Sequence, residues 1–192
     1  MASDLFDIEP TVIPGCLLLR SQMRTDARGT FVKTAHAGWF AAHGLECKFR
    51  EQYYSVSYQH VLRGLHFQTP PHDHTKLVFC ASGRILDAVV DLRVGSPTYA
   101  KHVVLELDAE RPAVLYLPPG LAHGFLALTP HALMVYNVTT EYAPSHDAGI
   151  LWSSAGIPWP IADPIVSDRD ASFPRLDEFT SPFVRESAAH AR

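Results

Sequence analysis

Proline or glycine breaks this chain at intervals of roughly ten residues, leaving segments too short for most helices. The segments between the breaks are rich in Val, Leu, Tyr and Phe: TVIPGCLLL, GTFVKTA, CKFREQYYSVSY, VLRGLHFQ, KLVFCAS, RILDAVVDL, YAKHVVLEL, AVLYLPP, HGFLALT and ALMVYNVTT. β-Branched and aromatic side chains suit a pleated, half-buried surface, so this many short strands with turns between them predict an all-β sandwich or barrel. ASGR is expected to turn a hairpin between KLVFC and ILDAVVDL, and RVGSPTY to form a longer loop. One helix is expected at HAGWFAAHGL, stopped by Gly44, and a second short one around Ser172 to Phe179. The terminal ESAAHAR is expected to fray.

The 192 residues contain no internal repeat and no long linker, so one domain is expected, with its core at about residues 10–178 and a flexible tail from 180 to 192. At 47% hydrophobic and 19% charged, with a net charge of −4, the composition fits neither a disordered chain nor a basic nucleic-acid surface. No apolar run is long enough to span a membrane, because ILDAVVDL and AVLYLPPGL are broken by Asp or Pro. MASDLFDIEP lacks the basic-then-apolar order of a signal peptide. Cys16, Cys47 and Cys80 are odd in number and have no CxxC spacing, which fits reduced thiols in a cytoplasmic protein.

Chemistry concentrates in HVLRGLHFQTPPHDHTK, where four histidines, an arginine and a lysine lie between strand-like runs. One reading is a metal site built from His72, His74 and the distant His123, as in metal-dependent cupin enzymes. Such sites add a carboxylate soon after the histidine pair; here Thr75 and Lys76 follow, and a lysine places positive charge where a cation needs an anion. The other reading makes His66 a general base. Simple strand alternation sends Arg63 and His66 to opposite faces, so a site shared by both requires a twist or bulge.

RGLHFQ, KLVFCASGRILDAVVDLRVGSPTY, LYLPPGLAHGFLAL, MVYNVTTEYAPSHDAGILW and PIVSDRD occur in this order. Together they resemble the dTDP-4-dehydrorhamnose 3,5-epimerase family over roughly residues 10–178. The resemblance implies a cupin-like jelly roll with a few short peripheral helices. It also implies a homodimer whose N-terminal strands join the partner's sheet, and no metal or other cofactor. The implied substrate is a nucleoside-diphosphate-linked 4-keto-6-deoxyhexose of the dTDP-4-dehydro-6-deoxyglucose type. The product supplies deoxysugar for surface polysaccharide or natural products.

Hydrogens on C3 and C5 of that sugar flank the C4 ketone. Removing either gives an enolate that can be reprotonated from the opposite face, which calls for a base, an acid and a charge at the oxyanion. By resemblance His66 is the base, Asp170 its orienting carboxylate, Lys76 the cation at the C4 oxygen and Tyr136 the acid. Arg28, Arg63, His123, Asp147 and Arg169 match substrate-binding positions, and Lys33, Glu51 and Tyr53 fall at the nucleotide end.

The chain departs from the family where Lys33 replaces a usual Glu, where Glu51 and Tyr53 replace a Gln-x-Asn pair, and where Glu141 replaces a usual tyrosine. The first two changes leave a CDP- or GDP-linked sugar as an alternative to the dTDP form, and the third leaves open whether C3, C5 or both invert. A non-catalytic sugar-nucleotide-binding barrel is a further alternative. No role is assigned to His60, or to His72 and His74 outside the metal reading.

Overall fold

The computed structural model describes residues 5–185. Strands and helices are numbered in chain order. One sheet holds β1 (Phe6–Pro10), β2 (Leu17–Ser21), β10 (Ala113–Leu117), β7 (Lys76–Ser82), β12 (His131–Val138) and β5 (Glu51–Tyr58), in that spatial order. The second holds β13 (Asp147–Gly149), β6 (Leu62–Gln68), β11 (Leu121–Ala127), β8 (Arg84–Asp91) and β9 (His102–Asp108). A separate hairpin pairs β3 (Met23–Asp26) with β4 (Gly29–Val32). The ladders are antiparallel throughout, as expected of an all-β sandwich.

Several strands read as unbroken apolar runs because both of their faces are covered. Leu18, Val78, Leu115 and Met134 of the larger sheet meet Ile85, Val89 and Phe125 of the smaller one between the layers. Their neighbours Leu19, Leu77 and Val114 point the other way, beneath Trp39 and Phe40 of α1 (Ala37–Ala42). The outer face of the smaller sheet packs Leu65, Phe67 and Val90 against Ile150, Ile157 and Phe183. Burying a side chain such as Phe40, which is fully enclosed, contributes about 2–3 kcal/mol before entropy is counted.

The helix at α1 forms where its end signals lie. His36 caps it by accepting the Trp39 N–H on Nδ1, and Gly44 ends it with φ +68°. The second helix forms earlier than expected: α2 is Asp168–Ala171, capped by the Ser167 side chain, and Pro174 interrupts the stretch that was to be helical. ASGR does not turn a hairpin. β7 and β8 belong to different sheets, so the turn at Gly83 carries the chain across the sandwich, while the RVGSPTY loop joins the paired strands β8 and β9.

Part of the expected tail is ordered. Phe183 is buried, and Val184 bridges to Val94. ESAAHAR lies outside the described residues. Among the described residues no helix is long and apolar enough to cross a membrane.

Candidate active site

The bulge that the sequence required is present. His66 pairs with His123 and Arg63 with Phe125, so Gly64 and Leu65 on β6 face the single residue Gly124 on β11. The extra residue resets the alternation: Arg63 and His66 both turn inward, and Leu65 joins the outer cluster. Gly64 has φ +132°, and a Cβ there would lie 2.6 Å from the Gly124 Cα, so the bulge depends on glycine.

A cavity of about 340 Å³ opens between the sheets. Ten of the residues singled out in the sequence line it: Glu51, Tyr53, Arg63, His66, His74, Lys76, His123, Tyr136, Asp147 and Arg169. Asp170 stands behind His66, with Oδ1 2.8 Å from the ring Nε2. A carboxylate accepts, so Nε2 carries the hydrogen and the Nδ1 lone pair is left free. Asp170 is itself fixed by the Gly64 N–H on Oδ2 at 3.0 Å, and its own N–H donates to the Ser167 hydroxyl.

Burial would raise the Asp170 carboxyl, but the bond and charge of His66, the Gly64 N–H and Arg169 outweigh it and hold it at about 2. Burial also holds His66 below its ordinary 6.5, with Asp170 pulling it up and Lys76 and Arg169 pushing it down. The imidazole is therefore neutral near pH 7 and can accept a proton. Lys76 is buried and donates to the His66 carbonyl at 3.2 Å. Burial pushes its ammonium down to about 8, against the pull of Asp147 and Asp87.

Tyr136 lies on the opposite sheet, its hydroxyl 3.3 Å from Ser55 Oγ and its ring stacked on Tyr53. Burial raises this phenol, so it stays protonated well above neutrality. Toward the mouth, Arg63 donates to Ser57 Oγ at 2.9 Å, and Arg169 spans Asp147 and Asp170 at 2.6 and 3.3 Å. Glu51 accepts the Tyr142 N–H at 2.7 Å, and the Tyr142 hydroxyl donates to Asp147.

Arg28 and Lys33 are not brought to this cavity within the chain. Arg28 is exposed at the tip of the β3–β4 hairpin, paired only with Asp26 among the described residues, and Lys33 lines a separate groove with Met23 and Phe31. The metal reading finds no support, since no group of three or more His, Cys, Asp or Glu side chains among the described residues is arranged to hold an ion. His72 packs on His146, His74 Nδ1 lies 2.9 Å from Thr140 Oγ1, and His123 is bound to Asp87.

Asp87 is the chief residue that the sequence reading missed. It is fully buried, 2.8 Å from His123 Nε2. A lone carboxylate inside the apolar run ILDAVV was the available signal, because a buried acid needs a partner. Ser55, Ser57 and Gln68 also escaped notice; the two serines lie on the same inward face of β5 as Tyr53.

A family model described as dTDP-4-dehydrorhamnose 3,5-epimerase matches residues 10–178. The dTDP-4-dehydrorhamnose 3,5-epimerase of Salmonella typhimurium is 39% identical over 172 residues, covering 88% of this chain and 94% of the relative. The crystal structure of dTDP-6-deoxy-D-glucose-3,5-epimerase from Legionella pneumophila, in complex with dTDP-4-keto-L-rhamnose, superposes with a TM-score of 0.89. It is 30% identical, and the match covers 95% of this chain and 100% of that one. ChmJ, a 3'-monoepimerase from Streptomyces bikiniensis solved with dTDP-quinovose, gives a TM-score of 0.83 at 33% identity, covering 88% and 87%.

Proposed function

This chain belongs to the dTDP-4-dehydrorhamnose 3,5-epimerase family, and we propose that its intersheet cavity epimerises a nucleoside-diphosphate-linked 4-keto-6-deoxyhexose through an enolate. The chain is an isomerase with a cupin-like fold. The observation that carries the assignment of roles is the His66–Asp170 contact opposite Tyr136 across one cavity that also holds Lys76.

In this mechanism His66 Nδ1 takes the hydrogen from the carbon beside the ketone, and Asp170 stabilises the imidazolium that results. Lys76 faces the C4 oxygen and stabilises the enolate as negative charge develops there. Tyr136 returns a proton from the other face, giving the inverted centre. His123, Arg63, Arg169 and Asp147 bind the sugar and diphosphate, and Glu51 and Tyr53 face the nucleotide end. Arg guanidinium groups suit phosphate oxygens because their forked donors engage two at once.

The exposed position of Arg28 supports a homodimer in which the β3–β4 hairpin of one copy reaches the other's cavity. The hairpin leaves Met23 and Phe31 exposed, and among the described residues β1 and β5 are unpaired sheet edges. Binding measured by calorimetry with dTDP, CDP, UDP and GDP tests the carrier; the thymidine-linked relatives favour dTDP, and tighter binding of CDP or GDP would reverse that.

The deciding experiment incubates dTDP-4-dehydro-6-deoxyglucose with the enzyme in heavy water and follows C3 and C5 by NMR. Deuterium should enter at the centres that invert, and His66→Asn should abolish its entry while dTDP still binds. Exchange that persists in His66→Asn would remove His66 as the base. Binding without exchange by the wild type would leave a non-catalytic barrel.

A further inference from the structure

We propose that Tyr53 is a positioning residue for the proton-returning step, holding the Tyr136 phenol in place by stacking on it from the edge strand β5. The inference rests on Tyr136 being the acid. Tyr53 and Tyr136 are direct partners in the β5–β12 ladder, and their rings stack at 4.7 Å with an interplanar angle of 15°. Hydrogen bonding does little to aim the phenol: its one polar partner among the described residues is Ser55 Oγ at 3.3 Å, long for a hydroxyl pair. Its direction is therefore set by packing, with Tyr53 against one face and the edge of His123 meeting it at 6.3 Å and 70°.

The two rings divide the work by exposure. Tyr136 is 8% exposed, whereas Tyr53 is 42% exposed and lies on the solvent side of the pair. Removing the outer ring frees the inner one to tilt and admits water beside it, which works against the burial that keeps the phenol protonated.

The consequence lies in how the enolate partitions. Once His66 holds the proton, the carbon–hydrogen bond can re-form from the imidazolium, restoring the original centre. Otherwise it forms with the Tyr136 hydroxyl hydrogen, inverting the centre and leaving a phenolate; solvent then resets both groups. Return from an imidazolium that has exchanged with solvent puts deuterium into uninverted substrate. A poorly placed Tyr136 slows only the inverting branch, so deuterium in recovered substrate rises relative to inverted product.

The test compares wild type with Tyr53→Ala, Tyr53→Asn and Tyr53→Phe in heavy water, scoring deuterium in recovered substrate against inverted product. Tyr53→Ala and Tyr53→Asn should lower kcat for inversion about tenfold, within the range set by an aromatic pair, with a smaller change in KM and a several-fold rise in exchange without inversion. Tyr53→Phe keeps the ring and should recover the inversion that alanine loses. An unchanged partition in both Tyr53→Ala and Tyr53→Asn would overturn the proposal. So would equal losses in Tyr53→Phe and Tyr53→Ala, which would assign the role to the hydroxyl. A melting temperature far below wild type identifies any variant that has failed to fold. Tyr136→Phe separates the two levels: it should exchange without inverting, and full inversion in that variant would remove Tyr136 as the acid.

Discussion

Replacing Asp170 by asparagine tests the base more sharply than removing the imidazole, because it changes one atom and keeps the shape. Three donors converge on this carboxylate, His66 Nε2–H on Oδ1 at 2.8 Å, Gly64 N–H on Oδ2 at 3.0 Å and Arg169 Nε–H on Oδ1 at 3.3 Å. A carboxamide offers one oxygen and one NH2. Either Gly64 N–H faces the NH2, orphaning a buried donor in the bulge, or His66 does. In the second case the ring must shift its hydrogen to Nδ1, and the lone pair that was to act as base is lost. The charge has a cost that can be sized: holding Asp170 at about 2 rather than 3.8 corresponds to about 2.4 kcal/mol, or roughly sixtyfold, by which His66, the Gly64 N–H and Arg169 together favour the carboxylate. The wrong tautomer adds to this, and in serine proteases the equivalent change costs about 10⁴-fold. Asp170→Asn should therefore lose between about 60-fold and about 10⁴-fold in the rate of deuterium exchange, with dTDP binding and melting temperature close to wild type. A loss of less than about tenfold in a folded variant would refute the assignment of Asp170 to the base.

The pH profile of kcat/KM should have an acid limb below 6.5, where His66 gains a proton, and an alkaline limb near 8, where Lys76 loses its charge. The sign follows from roles: the base must be neutral and the lysine charged, so activity lies between the limbs, and Lys76→Met should remove the upper one along with most of the rate. Gly64→Ala should unfold or inactivate the enzyme, since its Cβ would sit 2.6 Å from the Gly124 Cα; a variant with wild-type melting and kcat would contradict the bulge. If Arg28 serves the partner's cavity, equal mixing and re-equilibration of His66→Asn and Arg28→Ala dimers should restore up to about a quarter of the sites, whereas sites built within one chain would show no recovery. Dialysis against a chelator should leave exchange intact, and loss restored by a divalent metal would revive the cupin-metal reading.

The strands were legible because their chemistry is local. KLVFCAS and RILDAVVDL mark β7 and β8 closely, since apolar runs ended by glycine leave few other options. Which sheet each joins was not legible, and the Gly83 corner was mistaken for a hairpin because a tight turn looks the same whether its strands pair or part. β1 and β3 were missed: four of the five residues of FDIEP and all of MRTD are exposed, so neither carries the apolar pattern that announces a strand. At the site, the need for a bulge between Arg63 and His66 followed from period-two alternation, but its form depends on Gly124, sixty residues away. The partner of Asp87 and the Tyr53 stack were not legible for the same reason, since both pairings join different strands.

The two histidines that face each other across β6 and β11 each have an aspartate, yet only one pair is suited to catalysis by proton transfer. Asp170 has His66, the Gly64 N–H and Arg169 around it, so it remains an anion ready to stabilise an imidazolium. Asp87 is fully buried, its Oδ1 has no partner among the described residues, and burial raises its carboxyl despite His123 and Lys76. An acid that tends toward neutrality serves as a hydrogen-bond partner rather than as a counter-ion, which favours His123 as a fixed sugar contact. The distinction comes from solvation and the count of donors, not from residue type. Deleting Asp87 should consequently weaken sugar binding more than it slows proton abstraction; a loss of exchange as large as that of Asp170→Asn would mean that both imidazoles carry protons.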